Sequence, residues 1–247
     1  MKKRVKFSII TVTYNSEKVL EKTILSVINQ SCKDYEYIII DGNSTDNTVA
    51  IIRQYEKHLT SWLSETDNGI YDAMNKGIRL ASGRWIIFMN SGDEFADSNV
   101  LQSVVDATLN DDKSDILYGD IGVRRGDELV LRTSIPPCNK QRMHFCHQAA
   151  FTKTILMKEM LFDTRYKMSA DLHFFKRCFH GGKCFRYLGA PIAVFDTNGV
   201  SNTNRLQGLL ENVRVVRALD DFPQKFLFLF RLYFIITRIR LQNLFRR

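Results

Sequence analysis

Four polar side chains that close short apolar runs could do chemistry in this chain. Thr13 and Tyr14 end the run over residues 7–12, Asp41 ends the run over 37–40, and Asp93 follows the run over 85–89. A carboxylate at position 41 could accept a hydrogen bond from a base N–H. The ring of Tyr14 could offer that base a stacking face, with Thr13 lining the same pocket. Asp93 is the best candidate to hold a divalent cation bridging carboxylate and diphosphate oxygens, because hard cations take oxygen ligands and keep positions open for substrate. Each residue also has a plainer reading. Asp-Gly and Ser-Gly-Asp make turns by themselves, and a tyrosine ring is commonly core.

The elements that must position these groups follow from periodicity. Buried parallel strands read as continuous apolar runs, and open α/β sheets bind ligands beyond the carboxyl ends of those strands. Leu20, Ile24, Val27 and Ile28 recur at helical spacing after the first run, as do Val49, Ile52 and Leu59 after the second. A short third strand is expected over 61–65, and Ile70, Met74 and Ile78 mark one face of a helix ending near Gly83. The fold class is therefore α/β, with a mostly parallel twisted sheet in the first half. Beyond residue 99 the pattern becomes α+β. It has a helix over 101–109, a strand over 116–119, half a hairpin over 128–132, a helix over 171–180 stopping at Gly181-Gly182, and a strand over 187–195. An amphipathic helix carrying Leu206, Leu209, Leu210, Val213 and Val216 precedes a helical tail.

Composition narrows the function classes. At 247 residues and 45% hydrophobic, the chain can bury one large core. Its five cysteines form no C-x-x-C pair, which argues against a disulfide framework or zinc site and suits a reducing cytosol. His173 and His180 are too far apart for side-by-side metal ligation on one helix. The net charge is +8, but six of the 35 basic residues lie in 222–247 without an acid, leaving 29 basic against 27 acidic residues before them. The body is nearly neutral, so no nucleic-acid groove is expected. The opening Met-Lys-Lys-Arg is followed by too short an apolar stretch for a signal peptide, and no run of about 20 apolar residues suggests a spanning helix. Neither G-x-G-x-x-G nor G-x-x-x-x-G-K-[ST] occurs, so phosphates would be held another way.

Read in order, Ile-Thr-Val-Thr-Tyr-Asn15, Ile-Ile-Asp-Gly-Asn-Ser-Thr-Asp46, Asp67-Asn-Gly-Ile-Tyr-Asp-Ala-Met-Asn-Lys-Gly77 and Met89-Asn-Ser-Gly-Asp93 resemble a family 2 glycosyltransferase of the GT-A fold. The bacterial polysaccharide-synthesis members, such as those of colanic acid, are most similar. The resemblance is dense over residues 7–95 and looser over 145–205. It implies that Thr13, Tyr14 and Asp41 hold the nucleotide of a sugar donor, that Asp67 lies beside it, and that Asp93 is the second acid of the metal-binding element. The cofactor implied is a divalent metal, Mg or Mn. Gly92 stands where a first acid is often found, so this element carries one acid. The resemblance places the catalytic base at Asp171, in Ser169-Ala-Asp-Leu-His-Phe174, again without a preceding acid. A helix N-terminus favours an ionised carboxylate there, though such a residue can also be only a cap. His147 and Gln148 resemble a segment on the acceptor or diphosphate side; a satisfied core histidine is the alternative. Asn198-Gly-Val-Ser201 resembles a loop that follows the last strand.

The resemblance implies a nucleotide-sugar-binding half (1–97) and an acceptor and catalytic-base half of the same domain (98–221), and the apolar runs 226–230 and 232–236, split by Arg231 among further arginines, make 222–247 a basic amphipathic helical tail. The expected activity is inverting transfer from a nucleotide-diphosphate sugar to a glycan or lipid-linked acceptor in cell-surface polysaccharide synthesis. The expected location is cytoplasmic, at the inner face of the cell membrane, with peripheral membrane contact through the tail. The tail could instead pack on the domain or on a second copy in a homodimer. Two rival functions are a sugar nucleotidyltransferase, which would show a basic glycine-rich loop after its first strand, and a catalytically silent binding module docking through its tail.

Overall fold

The computed structural model describes residues 6–109, 113–126, 128–138, 145–196 and 205–244. In the first half, β1 (Phe7–Thr13), α1 (Leu20–Ile28), β2 (Tyr35–Asp41), α2 (Thr48–Gln54), β3 (Ser61–Ser64), α3 (Ile70–Leu80) and β4 (Trp85–Phe88) alternate as the periodicity predicts. The chain then runs β5 (Glu94–Phe95), α4 (Val100–Ala107), β6 (Ile116–Arg125), β7 (Glu128–Arg132), β8 (Ala150–Lys153), α5 (Thr154–Met160), α6 (Ala170–His180), β9 (Phe185–Asp196), α7 (Arg205–Leu219) and α8 (Gln224–Leu244). The loop 198–201 lies outside the described residues.

One sheet takes strands from both halves, in the order β3-β2-β1-β4-β8-β6-β9-β5, with β7 paired to β6. The strands β3, β2, β1 and β4 are parallel, as are β6 and β9, whereas β8 is antiparallel to both β4 and β6. The α+β second half thus extends the sheet of the first. The sequence pattern did not predict β8 or α5, because a four-residue strand offers too few positions to show a period.

Every residue of β1 is buried, which explains its continuous apolar character. Ile10, Val12, Ile38, Ile40, Ile86 and Phe88 face a core closed by α3, α5 and α6. Phe7, Ile9, Tyr37, Ile39, Trp85 and Ile87 face the other core, closed by α1, α2 and α4. Each such large side chain contributes about 1.5–3 kcal/mol on burial, so the central strands are the least movable part of the molecule. Of the three residues that mark one face of α3, Met74 and Ile78 are buried but Ile70 is exposed; Tyr71, Ala73, Asn75 and Gly77 complete the buried face. A third cluster joins Leu209, Val213 and Val216 of α7 to Phe228, Leu232 and Ile236 of α8. The tail therefore packs on α7.

Candidate active site

The carboxyl ends of β1 and β2 are adjacent by register, with Thr13 opposite Asp41 and Asp41 opposite Ser64. The Gly42 N–H donates to Thr13 O at 2.9 Å, knitting the two strand ends together. A Cβ at Gly42 would come 2.5 Å from Asp67 Oδ2 and 3.4 Å from the Tyr14 ring, so only glycine lets these three groups meet. Tyr14 is 61% exposed, which removes the core-tyrosine reading. Asp67 is steadied by the Gly69 N–H, which donates to its Oδ1 at 2.8 Å. Asp41 is fully buried and accepts from the Ser44 hydroxyl, the Ser44 N–H at 3.0 Å and the Ser64 hydroxyl at 2.6 Å. Three of its four lone-pair positions are thereby used.

Beyond β4 the chain continues along β1, Met89 N–H donating to Ile10 O and Ser91 N–H to Val12 O, and then turns at residues 90–93. Gly92 takes φ 96°, a left-handed value that glycine adopts without strain. Thr23 of α1 pins this turn, its hydroxyl accepting the Gly92 N–H and donating to Asp93 O at 2.8 Å. Asp93 itself is buried.

The second cluster centres on Asp171, in the first turn of α6. Its Oδ1 accepts the Tyr71 hydroxyl at 2.9 Å and the Leu172 N–H at 2.8 Å, and its Oδ2 lies 3.1 Å from His147 Nδ1. A carboxylate can only accept, so Nδ1 carries the proton and His147 Nε2 accepts from Asn90 Nδ2 at 3.3 Å. Burial pushes the Asp171 carboxyl up, but the contacts of His147, the Leu172 N–H and the Tyr71 hydroxyl outweigh it and hold the group below its ordinary value. Burial, followed by the Asp171 charge, pushes the Tyr71 hydroxyl well above its ordinary value, so it stays a donor. Gln148 is half-buried beside His147 on a short 3-10 turn.

Asn90 therefore links the two sides. Its carbonyl accepts the Asp93 N–H at 2.9 Å while its amide reaches His147, so a continuous chain of hydrogen bonds runs from the Asp93 turn to Asp171. The sequence pattern of glycosyl transferase family 2 matches residues 8–170, more than half of the chain. The chain belongs to glycosyl transferase family 2. It is 32% identical over 213 residues to a PGL/p-HBAD biosynthesis glycosyltransferase of Mycobacterium bovis, covering 80% of this chain and 79% of that one. A putative teichuronic acid biosynthesis glycosyltransferase of Bacillus subtilis is 38% identical over 91 residues, 36% of either chain. Among solved structures, S. aureus TarS in complex with UDP-GlcNAc superposes with a TM-score of 0.67 at 19% identity, over 87% of this chain and 68% of that one. The mannosyltransferase PcManGT of Pyrobaculum calidifontis, in complex with GDP-Man and Mn2+, gives 0.69 at 16% identity, over 94% and 70%. The fold of this family member is GT-A, as expected.

The family implies a divalent metal, and the residues at the Asp93 turn suit one. Among the described residues no group of three or more His, Cys, Asp and Glu could hold an ion. However, Asn90 Oδ1, Ser91 Oγ and Thr13 Oγ1 are buried oxygens without a hydrogen-bond partner. Buried oxygens in this state are costly unless something takes them up, and neutral oxygens such as those of Asn90 and Ser91, within three residues of the Asp93 carboxylate along the chain, are of the type a hard cation accepts.

Sequence reasoning missed the groups that orient the Asp171 helix. Ser169 stands at the N-cap of α6 but makes no capping bond; its hydroxyl donates to Asn212 Oδ1 at 2.8 Å instead. Glu211, buried on α7, accepts the Lys167 N–H at 3.0 Å and the Met168 N–H at 2.7 Å. At the other end of α6, Lys176 Nζ donates to both oxygens of buried Asp220, at 2.6 and 2.7 Å, and lies 5.5 Å from the Phe228 ring centroid of α8. Two buried acids 40 and 49 residues beyond Asp171 thus hold its helix. Neither had a sequence signal: Glu211 lies on the side of its helix opposite Leu209, Val213 and Val216, where the pattern reads as a solvated face.

Proposed function

We propose that this glycosyltransferase is inverting and moves a sugar from a nucleotide-diphosphate donor to a hydroxyl of a glycan or lipid-linked acceptor in cell-surface polysaccharide synthesis. The observation that carries this reading is the state of Asp171. Its carboxylate is held ionised, with Oδ1 engaged by two donors and Oδ2 by one, which leaves Oδ2 able to accept a proton. Asp171 removes the acceptor hydroxyl proton as that oxygen bonds to the anomeric carbon. The bond from that carbon to the diphosphate oxygen breaks on the opposite face, and the nucleoside diphosphate leaves with the electron pair. One displacement inverts the centre and needs no covalent nucleophile.

In the same reading Thr13, Tyr14, Asp41 and Asp67 bind the nucleotide, and His147 holds Asp171 at the acceptor side with Gln148 next to it. Asp93, Asn90 and Ser91 would hold a Mg or Mn ion, which supplies positive charge against the diphosphate. The names of the solved relatives support this donor class, since UDP-GlcNAc, GDP-Man and Mn2+ appear in them. The surface-glycan setting is supported by the names of the mycobacterial and Bacillus relatives. No helix among the described residues is long and apolar enough to cross a membrane. The reading places the enzyme in the cytoplasm at the inner face of the membrane, in peripheral contact with it through the tail. The halves 1–97 and 98–221 then act as donor and acceptor sides of one domain.

The test combines binding and turnover. A thermal-shift screen of nucleoside diphosphates with and without Mn2+ should show a metal-dependent rise for at least one nucleotide, absent in Asp93→Ala. Asp171→Asn should keep that shift and lose transfer by about 10²–10⁴-fold. Full transfer by Asp171→Asn would sink the assignment of the base.

A further inference from the structure

We infer that α8 carries a docking surface for an anionic lipid bilayer, formed by Phe226, Leu227, Phe230, Phe234 and Leu241. This inference rests on the membrane-side reading above and specifies the residues that make the contact. Each of these five side chains is at least half exposed. Positions 226, 230 and 234 are four apart and 227, 234 and 241 seven apart, so the helical period gathers all five on one face. The opposite face is already used, since Phe228, Leu232 and Ile236 pack on α7. The exposed stripe is therefore surplus to the fold. Leaving it in water costs free energy that a contact would recover.

Charge decides the occupant. Exposed Arg231 and Arg238 run along one edge of the stripe and exposed Arg240 lies at the other. Arg217 of α7 donates to Tyr233 at 2.7 Å on that second edge. Residues 222–247 contain no acid to answer these cations. A symmetric pairing of two copies through this face would set arginine against arginine, whereas lipid phosphates neutralise both edges. A helix of 21 residues with this pattern lies in the plane of the interface, its apolar face about 5–10 Å deep.

The contact is also tied to the catalytic side. The helix α8 packs on α7, and α7 holds the start of α6 through Glu211 and Asn212, so the docked surface and Asp171 belong to one packed unit.

Flotation of the full chain tests this, using vesicles of phosphatidylcholine alone and of an equal mixture with phosphatidylglycerol. The chain should float with the mixed vesicles, less so in high salt, and weakly with phosphatidylcholine. The double variant Phe230→Ser/Phe234→Ser should lose affinity at least about ten-fold, and Arg231→Glu/Arg238→Glu should lose the preference for anionic vesicles. Both substituted pairs are solvent-facing, so the nucleotide thermal shift should survive in each. Failure to float, or flotation indifferent to both variants, overturns the inference. So does a concentration-dependent dimer that Phe230→Ser/Phe234→Ser dissolves without any vesicle binding. Flotation needs no donor sugar, so a failed transfer assay and a failed docking surface give separate results.

Discussion

His147 Nδ1 lies 3.1 Å from Asp171 Oδ2, joining two residues 24 positions apart into a dyad whose far side is closed by Asn90. The pair explains how a half-buried carboxylate stays ionised. It leaves Oδ2 with one donor where Oδ1 has two, and in the proposed reaction Oδ2 is the oxygen that takes the acceptor proton.

A pH profile follows from this contact. Asp171 is held below its ordinary value of 3.8, so the acid limb of kcat/KM that it controls should fall below that pH. Because the folded-state value is depressed, the group adds stability above its unfolded value and loses it as pH falls through the folded one. His147→Ala removes the leading opponent of burial and should move the acid limb upward. An unmoved limb in that variant would show that His147 does not hold the carboxylate.

Gly42→Ala should damage nucleotide binding selectively. The added Cβ would sit 2.5 Å from Asp67 Oδ2, forcing that carboxylate away while leaving both cores untouched. A loss of about one hydrogen bond, ~1 kcal/mol, corresponds to roughly five- to ten-fold in nucleotide affinity by calorimetry. The melting temperature should barely change.

Glu211→Gln tests the bracket on the Asp171 helix. An amide offers one acceptor oxygen where the carboxylate offers two, so the N–H of Lys167 or Met168 loses its partner. The expected cost is about 1–3 kcal/mol of stability. Lower kcat with unchanged nucleotide affinity is the second expected result. A purely structural role would leave kcat per folded molecule unaltered.

Asp220→Ala strands the buried ammonium of Lys176 and should destabilise the fold by about 3–5 kcal/mol in chemical denaturation. Replacing both, as Lys176→Met/Asp220→Leu, should recover much of that loss. Equal melting of the single and double variants would mean that the ion pair is not the source of the cost.

Much of the first half was readable before the structure. The runs around Ile10, Ile39 and Ile87 are apolar at every position because both faces of their strands are covered, so their ends, and with them Thr13, Asp41 and Asp93, could be placed at a sheet mouth. Less was readable in the second half. Asp115 to Lys153, Glu211 to the loop before α6, and Tyr71 to Asp171 are all long-range pairings, the last spanning 100 residues. Tyr71 lay within a quoted motif, yet the expected face of α3 passed through Ile70 instead. A buried tyrosine hydroxyl needs a partner, but nothing local names it.

Local periodicity determined the alternating α/β order and placed Asp41 and Asp93 at strand ends, and four short motifs in order carried the family resemblance that implied Asp67 and Asp171, because each depends on neighbours within a turn or a strand. Tertiary structure decided that Asp171 meets His147 and Tyr71, that Glu211 holds its helix, and which face of α8 remains bare. Those outcomes depend on where distant backbones cross, and hydrogen-bond partners brought together by chain crossing leave no period in the sequence.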